Sequence, residues 1–172
     1  MKNDFVMPIL VLTLICLVIS GALAFTNSVT APIIEEAAAV REREARSEMI
    51  PEADGFDELT GIEGLPLSIM EVYKTTNNVG YIFMVTTSGY GGDVKIICGI
   101  DSDGRLIRSK VLEHAETKGL GSRIEEAWFA EQFDGKDSEF RDVDAISGAT
   151  ISTNAYISAI RDAFTAFGLI EK

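Results

Sequence analysis

The chain has 172 residues and a formal net charge of −12, from 15 basic and 27 acidic side chains. This acidic balance argues against nucleic-acid binding, which requires a basic surface, and against docking on anionic lipids. Two cysteines and one histidine are too few ligands for an iron–sulfur cluster, a structural zinc site or c-type haem attachment, so we expect any electron carrier to be an organic cofactor rather than a metal.

The first predicted element is an apolar segment from Phe5 to Phe25 that contains no charged residue. At about 21 residues it is long enough to cross a bilayer as a helix. A cleaved signal peptide is the alternative, because Ala22-Leu-Ala24 has the form of a cleavage site. We predict a single-pass anchor over residues 1–29 in the cell membrane. Lys2 and the terminal amine then favour an N-terminus inside and an extracytoplasmic C-terminal domain.

A charged stretch follows the anchor. Thr30-Ala-Pro32 predicts the start of a second helix, because proline is favoured in a first helical turn. Ile33 to Met49 is rich in Ala, Glu and Arg, and Pro51 ends the pattern. We therefore predict a solvated stalk helix over residues 30–50, followed by turns and irregular chain up to position 68.

Strands and then helices are predicted over residues 51–172. The strand patterns are Ile69–Thr75, Tyr81–Thr87, Val94–Ile100 and Leu106–Leu112, with a hairpin turn at Asp103-Gly104. Ser122-Arg-Ile-Glu125 has the form of a capping box that opens a helix through Phe133. The last helix is predicted from about Ser152 to Phe167, with Gly168 as its C-cap and with Ile157, Ile160, Phe164 and Phe167 on one face. This order predicts an α+β fold, an antiparallel sheet with packed helices.

Three segments are candidate binding sites, although each has an ordinary structural interpretation by itself. Ser88–Asp93 is glycine-rich but lacks the ending of a phosphate-binding loop and favours a turn. His114–Gly121 favours a loop with a surface histidine. In Asp144-Ala-Ile-Ser-Gly-Ala-Thr150, the hydroxyl of Thr150, or of Ser152 or Thr153 just beyond it, either caps the last helix or faces N–H groups that bind phosphate well.

Taken in order, these segments resemble the G subunit of the Rnf complex, a relative of the C subunit of the sodium-pumping NADH:quinone oxidoreductase. The resemblance covers essentially the whole chain and is carried by four segments: Ala24–Ile34, Gly89-Tyr-Gly-Gly92, Glu116-Thr-Lys-Gly-Leu-Gly121 and Asp144-x-x-Ser-Gly-Ala-Thr150. It implies a domain that carries FMN, attached covalently through its phosphate to Thr150.

The resemblance also implies roles for the other site residues. Asp144, Ser147, Gly148 and Ala149 would form the run recognised by a magnesium-dependent flavin transferase, and Glu116, Thr117, Leu120 and Gly121 would lie against the isoalloxazine ring. Lys118 stands where the family usually has proline; it either adds positive charge near the flavin or is simply an exposed lysine.

The implied function is electron relay inside a membrane complex. The chain would have no catalytic acid or base and no independent activity. It would act beside other membrane subunits of an ion-translocating ferredoxin:NAD⁺ oxidoreductase. A stand-alone anchored flavoprotein and a non-redox anchored binding module are the alternatives.

Overall fold

The computed structural model describes residues 6–171. The chain divides into two units, residues 1–41 and 42–172. Phe5, where the predicted apolar segment begins, and Lys2, on which the predicted orientation depends, lie outside the described residues. Lys172, the last residue of the predicted domain, also lies outside them.

Helix α1 spans Val6–Met49 and contains most of the first unit. The large apolar side chains between Val6 and Phe25 are exposed. Within residues 6–171, α1 is the helix that is long and apolar enough to cross a membrane. The helix continues through Pro32, where the sequence predicted a separate start. A proline inside a long helix removes one backbone hydrogen bond, and this loss does not prevent the helix from continuing beyond it.

A five-stranded antiparallel sheet forms the centre of the second unit, with the strands in the order β1-β2-β3-β4-β5. The strands are β1 (Phe56–Glu58), β2 (Ile69–Thr75), β3 (Gly80–Ser88), β4 (Asp93–Asp101) and β5 (Leu106–His114). The predicted β2–β5 agree with these bounds within two residues. Strand β1 lies in a segment that was predicted to be irregular. Gly104 has φ 77° in the β4–β5 turn, a conformation that favours glycine.

The segment after β5 is not the single capped helix that the sequence predicted. It contains a 3₁₀ turn at Gly121–Glu125, helix α2 at Ala127–Ala130 and a second 3₁₀ turn at Glu131–Phe133. Ile124, Phe129 and Phe133 are all fully buried in one core. Phe129 and Phe133 lie five and nine residues after Ile124, which places them on the opposite side of a straight α-helix from Ile124, so the chain must bend to bury all three.

Helix α3 spans Thr150–Ile170 and covers one face of the sheet. It begins two residues before the predicted start and extends beyond Gly168, which lies inside the helix instead of capping it. Ile160 and Phe164 are buried against the sheet, while Ile157 and Phe167 are partly buried. The predicted apolar face of this helix is therefore confirmed.

Both faces of the sheet are covered in the second unit. On one face, Phe83 and Ile96 pack in a core with Tyr156 of α3. On the other face, Ile82 packs with Met49 at the end of α1. Alternate residues of β3 face the two cores, which explains why this strand is apolar along most of its length. The α+β fold with an antiparallel sheet and packed helices is confirmed.

Candidate functional site

A cleft of about 410 Å³ lies where the β3–β4 turn, the loop after β5 and the start of α3 meet. This volume falls in the range of small-molecule and cofactor pockets. Ten residues line the cleft: Tyr90, Glu116, Thr117, Leu120, Gly121, Gly148, Ala149, Thr150, Ile151 and Ser152. The fold therefore brings together all three segments that the sequence singled out.

Thr150 is the first residue of α3, and its side chain is exposed in the cleft. The N-cap residue is Ala149, whose methyl group cannot accept a hydrogen bond, so the prediction that Thr150, Ser152 or Thr153 caps the helix is wrong. The first bond of the helix runs from the Thr153 N–H to the Ala149 carbonyl at 2.9 Å. The N–H groups before it have no acceptor within a helix that begins here, and they present the positive end of the helix dipole to the cleft.

The turn before Thr150 has a defined conformation. The Ala149 N–H donates to the Ile146 carbonyl at 3.0 Å. Gly148, inside this turn, has φ 80°, a left-handed conformation that favours glycine. The Ile146 N–H donates to Thr153 Oγ1 at 3.2 Å, which ties the turn to the first turn of α3. The turn that precedes Thr150 is therefore held in place by the first turn of α3.

Asp144 and Ser147, two predicted site residues, lie outside the lining of the cleft and are exposed. The backbone of Asp144 is held by the side chain of Gln132. The Asp144 N–H donates to Gln132 Oε1 at 2.7 Å, and Gln132 Nε2 donates to the Asp144 carbonyl at 3.4 Å. The side chains of these two residues face solvent next to the run that leads to Thr150.

Glu116 is the most highly connected side chain of the cleft. Its Oε1 accepts hydrogen bonds from the N–H groups of Tyr90 at 2.7 Å and Gly91 at 3.2 Å, and its Oε2 accepts one from Ser152 Oγ at 2.7 Å. Burial by itself raises the pKa of this carboxyl, but the hydrogen bonds from Ser152, Gly91 and Tyr90 outweigh burial and hold its pKa below the ordinary value.

His114 ends β5, and its side chain is 13% exposed, so it is not the surface histidine of the prediction. Its Nδ1 accepts a hydrogen bond from the Glu116 N–H at 2.9 Å, and its Nε2 lies 2.8 Å from Glu125 Oε1. With Nδ1 as the acceptor, Nε2 carries the proton that is donated to Glu125. The histidine thereby supports the backbone at Glu116.

Seven of the nine predicted site residues line the cleft: Glu116, Thr117, Leu120, Gly121, Gly148, Ala149 and Thr150. Lys118 is exposed and lies outside the lining. The predicted site residues did not include Tyr90, Ile151 and Ser152. Tyr90 lies within a glycine-rich motif already noted, and Ile151 and Ser152 directly follow Thr150, so proximity to those motifs is the signal that could have found them.

Comparison with known proteins identifies relatives of this chain. The FMN-binding domain family matches residues 89–165, which contain the whole lining of the cleft. The chain is 32% identical to the G subunit of the Na⁺-translocating ferredoxin:NAD⁺ oxidoreductase complex of Acetobacterium woodii, over 88% of this chain and 86% of that protein. It is also 32% identical to the G subunit of the ion-translocating oxidoreductase complex of Methanosarcina acetivorans, over 94% of each.

A solved structure shares the fold. The crystal structure of NqrC from Shewanella oneidensis matches with a TM-score of 0.50 at 16% sequence identity, covering 72% of this chain and 74% of that one. The fold and the cleft define an α+β FMN-binding domain, which follows an N-terminal helix long and apolar enough to cross a membrane. The chain belongs to the family of the G subunits of ion-translocating oxidoreductase complexes.

Proposed function

We propose that this chain relays electrons within a membrane-bound ion-translocating ferredoxin:NAD⁺ oxidoreductase complex, through FMN attached covalently to Thr150. Its relatives in Acetobacterium woodii and Methanosarcina acetivorans are named as subunits of ion-translocating oxidoreductase complexes. The observation that carries the attachment is the position of Thr150, an exposed hydroxyl at the N-terminus of α3 inside a cofactor-sized cleft.

The residues of the cleft fit a flavin. Leu120 and Ile151 offer apolar surface for the ring, and both side chains are about half exposed, at 45% and 52%. A Cβ at Gly148 would lie 3.2 Å from Leu120 Cδ1, so glycine at this position keeps the cleft open beside the ring. The N–H groups of the first turn of α3 would hold the phosphodiester, which retains one negative charge.

Attachment at Thr150 needs an accessible hydroxyl and a second protein. In this reaction the Thr150 oxygen would form a bond to the phosphorus of the FMN half of FAD as the pyrophosphate bond breaks, with AMP as the leaving group and release of the hydroxyl proton. A magnesium-dependent flavin transferase would supply this chemistry. Asp144, whose backbone is held by Gln132, and Ser147 both have exposed side chains, which would present the run that this transferase recognises.

A covalent bond suits an extracytoplasmic domain, because a dissociable cofactor outside the cell would be lost by dilution. We therefore place the second unit on the outer side of the membrane, with α1 as the anchor. FMN in the cleft supplies the ability to accept and pass on electrons. The chain itself holds the cofactor and needs no acid or base of its own; the neighbouring membrane subunits would be its electron donors and acceptors.

Intact-mass measurement of the full chain co-expressed with a flavin transferase tests the attachment. We expect the wild-type chain to gain the mass of FMN minus one water and Thr150→Ala to gain nothing. Thr117→Ala is the matched control, because Thr117 is also an exposed threonine that lines the cleft. We expect this control to gain the same mass as the wild type.

Two results would contradict the proposal. One is a wild-type chain without the added mass when the transferase is active on another substrate. The other is an added mass that persists in Thr150→Ala and is lost in Thr117→Ala.

A further inference from the structure

A single carboxylate connects all three segments that line the cleft. Glu116 belongs to the loop after β5, and its two oxygens accept hydrogen bonds from the β3–β4 turn and from Ser152 in the first turn of α3. The side chain is buried, with 8% of its surface exposed, yet it lines the cleft. The relative positions of these three segments therefore depend on this residue.

Two glycines leave the space that this carboxylate occupies. A Cβ at Gly89 would collide with Glu116 Oε1 and lie 2.8 Å from Val94 Cγ2. A Cβ at Gly121 would collide with Glu116 Oε2 and lie 2.7 Å from Ser152 Oγ. Any side chain at either position would push the carboxylate out of its hydrogen bonds. The absence of side chains at both positions is thus explained by the presence of Glu116 between them.

The groups around the carboxylate favour its ionised form. Two of the donors are peptide N–H groups, at Tyr90 and Gly91, which cannot act as acceptors, and the third is a hydroxyl. Hydrogen bonds donated to a carboxylate stabilise the charged form. A negative charge at a buried position acts on its surroundings through an effective dielectric constant far below that of water.

We propose that Glu116 is the positioning residue of the cleft and that its ionised carboxylate makes a flavin bound there harder to reduce. The second half of this inference depends on the proposed function for the identity of the cofactor. The three hydrogen bonds hold the β3–β4 turn and the first turn of α3 in position around the cleft. The fixed negative charge beside the cleft opposes the addition of electrons to a ring held in it.

The substitution Glu116→Gln removes the negative charge of the side chain and keeps nearly the same side-chain shape. The glutamine Oε1 can accept from both N–H groups, and its Nε2 can donate to Ser152 Oγ, because a hydroxyl is also an acceptor. At a fixed potential, we expect the ratio of reduced to oxidised flavin to be about tenfold higher in FMN-loaded Glu116→Gln than in the wild type. For a two-electron couple this ratio corresponds to a midpoint shift of about 30 mV.

Glu113→Gln is the matched control, because it removes an equal charge from the same end of β5 at an exposed position outside the cleft lining. Exposed charges are screened by solvent, so we expect this variant to keep the wild-type ratio. All three proteins are measured as full chains in detergent after loading by a co-expressed transferase. Equal ratios in Glu116→Gln and Glu113→Gln would overturn the inference.

A measurement on the unloaded wild-type chain decides the case if Glu116→Gln fails to fold or to take up FMN. NMR titration of the Glu116 carboxyl carbon is expected to give a pKa below the ordinary glutamate value, and an ordinary or raised value would overturn the inference. If the wild-type chain itself takes up no FMN from an active transferase, the proposed function and the second half of the inference are both contradicted, and the same titration still tests whether the three hydrogen bonds hold Glu116 as an ionised carboxylate.

Discussion

The substitution Gly121→Ala tests how tightly Gly121 packs against Glu116 and Ser152 in the cleft. The added methyl group would collide with Glu116 Oε2 and lie 2.7 Å from Ser152 Oγ. The carboxylate cannot move aside without losing hydrogen bonds to Tyr90, Gly91 or Ser152. Overpacking costs about 1–2 kcal/mol, and one lost hydrogen bond to a charged group costs about 1.5 kcal/mol. We therefore expect the free energy of unfolding to fall by about 3 kcal/mol.

Chemical unfolding of the full chain in detergent measures this change, with the single tryptophan, Trp128, as the fluorescent reporter. In a Ser152→Ala background one of the two close contacts is absent, so we expect the cost of Gly121→Ala to fall by at least about 1 kcal/mol. Gly119→Ala is the comparison for a nearby glycine with open space around it, where the cost comes from φ 77° alone and is about 1–2 kcal/mol. A cost below about 1 kcal/mol for Gly121→Ala, or the same cost in both backgrounds, would refute this reasoning.

Three further predictions concern stability. Gly168→Ala is expected to raise the free energy of unfolding by about 0.5–1 kcal/mol, because Gly168 lies inside α3 with open space around it; a lower thermal midpoint would contradict this. Tyr156→Phe is expected to cost about 1–2 kcal/mol, because the buried Ser109 hydroxyl loses its 2.8 Å partner, and adding Ser109→Ala should recover part of this cost in the same unfolding assay. The lowered pKa of Glu116 means that its ionised form contributes stability above the ordinary carboxyl range and that this contribution is lost as the pH falls through the folded-state value. The unfolding free energy should therefore lose more between about pH 6 and about pH 3 in the wild type than in Glu116→Gln, and equal losses would contradict the assignment.

The strands and the last helix could be predicted because their signals are local. The bounds of β3 follow from a run of β-branched and aromatic residues after a turn signal, and Asp103-Gly104 encodes the hairpin turn by its own backbone preference. The apolar face of α3 follows from three- and four-residue spacing. None of these signals needs a partner distant in the sequence.

The capped helix at Ser122 was predicted wrongly because the local signal was overruled by packing. Ser122 Oγ accepts a hydrogen bond from the Gly119 N–H at 2.9 Å, so it stabilises a turn and not the N-terminus of a long helix. The chain bends to bury Phe129 and Phe133 together with Ile124. A capping box adds about 1 kcal/mol, which is less than the roughly 1.5–3 kcal/mol that burying one more large apolar side chain contributes.

The sequence alone is enough to predict the class of the protein: an apolar N-terminal helix, an acidic α+β domain and a threonine close to the start of the last helix. These properties follow from composition, periodicity and short motifs, which act over a few residues. How the motifs meet depends on the packing of the whole domain. Glu116 contacts Tyr90 and Ser152, which lie 26 and 36 residues away, and no local preference specifies such pairs. The reason is physical: a buried carboxylate must find its donors wherever the packed chain places them.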